Sequence, residues 1–251
     1  MSERRIAGDE TGWKGQAMPN RFIPGLIAAV TMIGTAVAGP LEEGYAAAGR
    51  GDDADAVRHW RPLARAGLAE AQFLIGVAYA RGRGVPESNA EAVKWYRRAA
   101  AQGDSAAQFN LGVAYDEGLG VLLDDPEAIR WYRLAADQGD ADAQLNLAFM
   151  YGSGEGVTPD DAESARWFER AAQQGGYPGA ANKLGLMYGD GRGVEQDFVL
   201  SHMWFSVAVS GGHKGAPKNR DAVVGKMTAE QITAAQRLAD EWRPKPEQLP
   251  E

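Results

Sequence analysis

Apolar and polar residues alternate along the chain with the period of a helix, in pairs of segments separated by glycine-rich breaks. In one such segment Ala71, Ile75, Ala78 and Tyr79 fall on one face at spacings of three and four, which predicts an α-helix with one buried side. A break at Gly82-Arg83-Gly84-Val85 follows. A second segment then places Val93, Trp95-Tyr96 and Ala99-Ala100 on one stripe and closes at Gln102-Gly103. The whole pattern recurs. Ala101-Gln102-Gly103 returns as Asp137-Gln138-Gly139 and Gln173-Gln174-Gly175, and Gly-x-Gly-Val begins at Gly82, Gly118, Gly154 and Gly191. Trp95, Trp131, Trp167 and Trp204 keep the same register, as do Tyr79, Tyr115, Tyr151 and Tyr188. The step is 36 residues, except for a last step of 37 caused by one residue inserted near Gly176. A fixed period of this length is the signature of stacked supersecondary units.

Each unit is thus expected to be two helices joined by the glycine loop, whose first glycine ends the first helix in a left-handed conformation. Ser88, Asp124, Asp160 and Asp197 share the slot that caps the second helix. Glu91, Glu127 and Glu163 lie three residues on, the arrangement of a capping box, and Leu200 breaks it in the fourth copy. Gly76, Gly112 and Gly185 share a column inside the first helix that Ala148 completes. Glycine inside a helix costs about 1 kcal/mol relative to alanine, so its recurrence predicts the close approach of another backbone. If the tryptophan column is core, Trp131→Ala should cost about 3–5 kcal/mol. One hairpin cannot cover its own apolar face, so neighbours must stack. The expected fold is all-α: a right-handed α/α solenoid of tandem helix-turn-helix repeats.

Four full units occupy residues 68–212. An opening helix and half-unit at 39–67 precede them, with Ala56-Val57-Arg58-His59-Trp60 matching the second helix one period early. Capping helices are expected over 213–243, where Thr228 and Gln231 start a helix whose face carries Ile232, Ala235, Leu238, Ala239 and Trp242. Residues 244–251 read as a frayed tail. At the other end, residues 22–38 carry no charge, follow Arg21 and end in Ala36-Val37-Ala38. Residues 1–38 are therefore expected to be a signal peptide, with Met18 a candidate initiator; an uncleaved anchor is the alternative. The location implied is periplasmic or secreted, or inner-membrane anchored if the segment stays, and only then would the chain touch a membrane.

Composition narrows the function. Across 251 residues the net charge is -8, which repels phosphate backbones, so no nucleic-acid partner is expected. There is no cysteine, so disulfides, thiolate nucleophiles and cysteine-ligated metals are excluded. His59, His202 and His213 lack ligand spacing, with His59 in the tryptophan column, and Ser201-His202 lacks a nucleophile elbow. The Gly-Arg-Gly-Val loops lack the Gly-Lys-Ser/Thr ending of a phosphate loop. Asp124-Asp125 and Asp160-Asp161 read as caps and dipole partners rather than calcium ligands. No metal and no cofactor are expected. Arg97-Arg98, Arg130, Arg133, Arg166 and Arg170 read as a solvated face, with Glu127 and Glu163 as weak partners.

One candidate surface remains. Opposite the buried face of the first helices run Asn110, Val113 and Glu117, then Asn146, Phe149 and Ser153, then Lys183, Leu186 and Asp190. The asparagines can both donate and accept toward a peptide backbone, and Phe149 and Leu186 can hold apolar side chains. Packing between successive first helices is the alternative role for the same row.

The stretch Ala106-Ala107-Gln108-Phe109-Asn110-Leu111-Gly112-Val113-Ala114-Tyr115, with Gly118-Leu119-Gly120-Val121 and Ala128-Ile129-Arg130-Trp131-Tyr132, resembles the Sel-one-like repeat, a relative of the tetratricopeptide repeat. Met227-Thr228-Ala229-Glu230-Gln231 is similar to endings of exported bacterial members. The resemblance implies a non-enzymatic adaptor that binds a protein or peptide on the concave side lined by the first helices. It also raises two alternatives, an envelope hydrolase of β-lactams or peptidoglycan and a glycan-binding module. Relatives linked to β-lactams are rich in cysteine pairs, and this chain has none.

Overall fold

A computed structural model describes residues 35–245. They form twelve helices and, among the described residues, no strand: α1 (Thr35–Gly49), α2 (Asp53–Ala66), α3 (Ala69–Arg81), α4 (Asn89–Ala100), α5 (Ser105–Glu117), α6 (Asp125–Asp137), α7 (Ala141–Ser153), α8 (Asp161–Gln173), α9 (Pro178–Asp190), α10 (Phe198–Ser210), α11 (Ala216–Val224) and α12 (Ala229–Glu241). Each helix from α2 to α10 packs on the next in chain order. This is the all-α solenoid that the period demands. The expected signal segment lies outside the described residues up to position 34, and α1 takes in the expected cleavage point after Ala38. Among the described residues no helix is long and apolar enough to cross a membrane.

The two helices of a unit have different burial patterns because they have different neighbours. Each first helix lies between the second helices of its own unit and of the preceding one. It is therefore buried around most of its circumference, as in α7 with Ala141, Ala143, Gln144, Leu145, Leu147, Ala148, Met150 and Tyr151. The second helices are one-faced. α6 buries Ala128, Ile129, Tyr132, Ala135 and Ala136 and leaves an Arg130–Glu127 pair at 2.7 Å outside.

Within a unit, the glycine column meets a ring and not a backbone, contrary to the expectation from sequence. A Cβ on Gly76 would stand 2.5 Å from the Tyr96 ring, and one on Gly185 would stand 2.6 Å from Phe205; Gly112 faces Tyr132 just as closely. The ring of the second helix lies against bare backbone of the first. Tyr96, Tyr132, Phe168 and Phe205 are accordingly the deepest aromatics, none more than 4% exposed. The tryptophan column one residue earlier is shallower in the first two units, where Trp95 and Trp131 are half-buried, while Trp167 and Trp204 are buried. A full core penalty of about 3–5 kcal/mol thus belongs to Trp167 and Trp204 rather than to Trp131.

Between units three contacts repeat. The side-chain amide of Gln108 donates to Ala100 O at 3.3 Å in the preceding second helix and accepts from Gln138 at 2.7 Å in the following one. Gln72 and Gln144 do the same with Gln102 and Gln174. The second loop glycine provides the backbone approach that the sequence assigned elsewhere. A Cβ on Gly120 (φ +72°) would collide with the backbone of Asn89 and Ala90, at the start of the preceding second helix. Finally, Arg97 donates to the Tyr115 hydroxyl at 2.8 Å, and Arg133 donates to Tyr151.

The caps form at the expected residues, but the boxes do not close. Ser88 and Asp124 accept from the N–H groups of Glu91 and Glu127, and Asp160 and Asp197 cap α8 and α10. The backbone N–H of each cap residue is already given to a tyrosine carbonyl of the first helix: Ser88 to Tyr79, Asp124 to Tyr115, Asp160 to Tyr151 and Asp197 to Tyr188, all at 2.9 Å. The glutamates turn instead to Lys94, Arg130 and Arg166. A complete capping box forms at α12, between Thr228 and Gln231.

At the array's start, Trp60 donates to Leu41 O at 3.3 Å and stacks edge-on with Tyr45. At its end α11 and α12 pack on α10, with Ala235 fully buried and Trp242 edge-on to Trp204. Of the expected tail, the Lys245 N–H donates to Gln173 O at 2.6 Å and Pro244 lies against Gly175. Residues 246–251 lie outside the described residues.

The ring-on-glycine contact predicts that Gly112→Ala lowers stability by about 1–3 kcal/mol through overpacking, although alanine is the better helix former by about 1 kcal/mol. Denaturant unfolding of the variant measures the balance. A gain in stability would show that the Tyr132 ring can shift at little cost.

Candidate functional site

The row along the first helices stays partly open because the second helices cover only their flanks. Val113 and Phe149 are half-buried, Glu117, Ser153 and Asp190 are exposed, and Leu186 is 37% exposed. Phe149 meets Phe168 edge-on at 5.1 Å between centroids, and the Lys183 ammonium lies 5.8 Å from the Phe149 centroid. Val113, Phe149 and Leu186 therefore form an apolar line across three units, with charge beside it from Glu117 and Lys183.

The asparagines do a different job from the one the sequence suggests. Asn110 gives an amide hydrogen to Ala106 O of its own helix at 2.7 Å. Asn146 hydrogen-bonds the hydroxyl of Tyr132, which donates to Asp116 Oδ2 at 3.2 Å. Burial, and then the Asp116 carboxylate, push the Tyr132 hydroxyl well above the ordinary phenol range. Asn146 thus completes a polar network around a buried core tyrosine. The side chains left to meet a ligand are Val113, Phe149, Lys183 and Leu186, with Glu117 at the rim.

The polar groups weighed for catalysis do not come together as a nucleophile and base; His213 Nδ1 is buried without a hydrogen-bond partner. Ser201 is fully buried and donates to Gly185 O at 2.6 Å. His59 stands between Glu43 (3.1 Å) and Asp55 (3.3 Å) on α1 and α2. His202 is buried in α10, and His213 follows that helix. A hollow of about 260 Å³ between α8 and α9 is lined by Ala165, Arg166, Glu169, Leu184, Tyr188 and Val194, with no nucleophile beside a base.

Several arginines of the expected solvated face are engaged. Besides Arg97 and Arg133, Arg98 stacks over Trp95 and Arg170 over Trp167, both at 4.4 Å. Asp161 pairs with Arg192 across a unit boundary at 3.1 Å. Asp125 brings a carboxylate oxygen within 4.8 Å of those of Asp116 and Glu155. Two successive helices and the loop one unit on make that cluster, and only the unit-to-unit register could have revealed it.

Asn146→Ala should cost about 1 kcal/mol by removing the Tyr132 hydrogen bond, read as a lower unfolding midpoint; an unchanged midpoint would return Asn146 to the set of ligand contacts. His202 yields a pH prediction. Burial first, and then Arg220, hold its imidazole below the usual histidine range, against a smaller opposite push from Asp221. The unfolded chain therefore binds the proton more readily. The stability this group contributes is present above about pH 6.5 and is lost as pH falls below it. Melting temperatures at pH 7.5 and 5.0 should differ less in His202→Gln than in the wild type.

Comparison with known proteins agrees with this architecture. The Sel1 repeat family matches at residues 69–104, 105–140, 141–176 and 178–213, the four units read from the periodicity. A solved structure of c5321, a protective antigen of uropathogenic Escherichia coli strains with an SLR fold, is similar at 35% identity and a TM-score of 0.74. The match covers 82% of this chain and 46% of that one, so this chain spans under half of that antigen. A Sel1 repeat protein from Oxalobacter formigenes is similar at 28% identity and a TM-score of 0.68, over 80% of this chain and 82% of that one. No curated protein matches the chain. With four matched repeats that account for more than half of its length, the chain belongs to the Sel1 repeat family.

Proposed function

We propose that this chain is a non-catalytic scaffold of the bacterial envelope or secreted space, binding an extended segment or helix of a protein partner along the concave face made by its first helices. Sel1 repeat proteins are generally protein-interaction scaffolds, and here the buried Gln72, Gln108 and Gln144 are engaged in joining successive helix pairs. The observation that carries the reading is the line Val113, Phe149 and Leu186. It places partly open apolar side chains in three successive units, with Lys183 and Glu117 available to a partner's polar groups. The envelope location rests on the uncharged residues 22–38 behind Arg21 and their Ala-Val-Ala ending. It is supported by the E. coli neighbour, named a protective antigen, since an antigen that protects is one the host can reach.

A photo-crosslinking residue at Leu186, with a control at the exposed Arg130 on α6, tests both parts in the native host. A discrete protein adduct from position 186 and not from 130, recovered with the envelope fraction, is the expected result. Equal labelling from the two positions, or none at 186, would remove the groove from the reading. Adducts found only in the cytoplasm would remove the location.

A further inference from the structure

The four Gly-x-Gly-Val loops share one backbone, and one of them carries different side chains. The variable positions read Arg83, Pro86 and Glu87 in the first loop, Glu155, Thr158 and Pro159 in the third, and Arg192, Glu195 and Gln196 in the fourth. In the second they read Leu119, Leu122 and Leu123. Leu122 is 90% exposed, Leu123 53% and Leu119 37%. The turn does not require them, because Gly118 and Gly120 (φ +68° and +72°) match Gly191 and Gly193 (φ +68° and +72°), where the same turn carries polar residues. Single exposed leucines are ordinary on a surface, but three within five residues make a patch.

The surroundings of the patch are acidic. Asp124 and Asp125 follow Leu123 directly, and Asp125 converges with Asp116 and Glu155 within 4.8 Å. One unit further on, the positions equivalent to Asp125 and Glu155 are Asp161 and Arg192, which pair at 3.1 Å. The α7 loop thus brings a carboxylate to the place where the α9 loop brings a guanidinium. An apolar tip beside converging carboxylates repels an anionic lipid surface, and it is complementary to a chain that sets large apolar side chains next to a cation.

We propose that the α5–α6 loop, through Leu119, Leu122 and Leu123 and the adjoining Asp116, Asp125 and Glu155, is a second docking surface that takes a basic amphipathic segment of a partner protein. The leucines receive the partner's apolar side chains, and the carboxylates receive its lysine or arginine. The surface lies at the loop edge of the second unit, whereas Leu186 of the groove lies two units further on, so variants at the two can succeed or fail separately.

The test uses the full chain and a labelled amphipathic helix-forming peptide of leucine and lysine, with a twin in which every lysine is glutamate. The wild type should bind the lysine peptide at least tenfold more tightly than its twin. Leu122→Ser with Leu123→Ser should weaken that binding about tenfold or more. Asp125→Asn with Glu155→Gln should weaken it and flatten its salt dependence. Removing two charges elsewhere, by Glu230→Gln and Glu241→Gln on α12, should leave it unchanged, as should Leu186→Ser in the groove. Leu122→Ser alone, at a fully solvated site, keeps the test valid if the double variant unfolds. Binding that ignores the leucines, or that falls equally with the α12 charges, overturns the proposal. Leucine-dependent flotation with phosphatidylcholine vesicles would reassign the loop to lipid. Leucine-dependent self-association, lost on replacing Arg58 and Arg61 of α2, would reassign it to a second copy.

Discussion

An aromatic ring laid against a residue with no side chain, or almost none, sets how closely the two helices of a unit approach, and the rest of the array follows from that spacing. Tyr96, Tyr132 and Phe205 lie over Gly76, Gly112 and Gly185. The contact gathers a large apolar surface in one place, at the cost of helix propensity at the glycine. With the hairpin fixed in this way, the first helix presents both flanks to second helices. This explains why it is apolar almost all round, and why only a narrow row of the first helices, from Val113 to Leu186, stays partly open.

The junctions between units are polar where the hairpin interior is apolar. Gln72, Gln108 and Gln144 each bridge the second helix behind to the second helix ahead, and a buried amide satisfied on both sides favours one register over its neighbours. The fourth unit has Ala181 and Gly211 at these positions, so the ladder stops there. Its substitutes are different bonds: Asn219 to Asn182 at 2.9 Å from α11, and the Trp204–Trp242 contact from α12. The array thus ends by exchanging a repeated contact for a unique one, as capping units do.

The sequence revealed what is periodic and hid what is reciprocal. Helix number, loop positions, cap residues and the four-unit count were legible because each leaves a residue type at a fixed interval. The partner of each column was not. Gly112 announced a close approach that was read as another backbone and is filled by the Tyr132 ring, and Gly120 gave no sign that it lay on Asn89. Asn146 read as a ligand contact because its pattern places it on the open row; its bond to Tyr132 in the preceding unit depends on the stacking register. Phe149 and Leu186 are open to some degree, because an apolar side chain opposite a buried stripe has few other places to go. The Asp116–Asp125–Glu155 convergence joins three elements, so no single window of sequence contains it.

The bond from Lys245 to Gln173 ties the carboxy-terminal residues not to the cap they follow but to the end of α8, before the fourth unit begins. A stacked array normally lets its last unit peel away alone, since each unit touches only its neighbours. Here the segment beyond α12 returns to the third unit and bonds there. Peeling from this end must first release the strap, which turns a terminal zipper into a closed clasp. During synthesis the clasp can shut only after α9 to α12 have emerged.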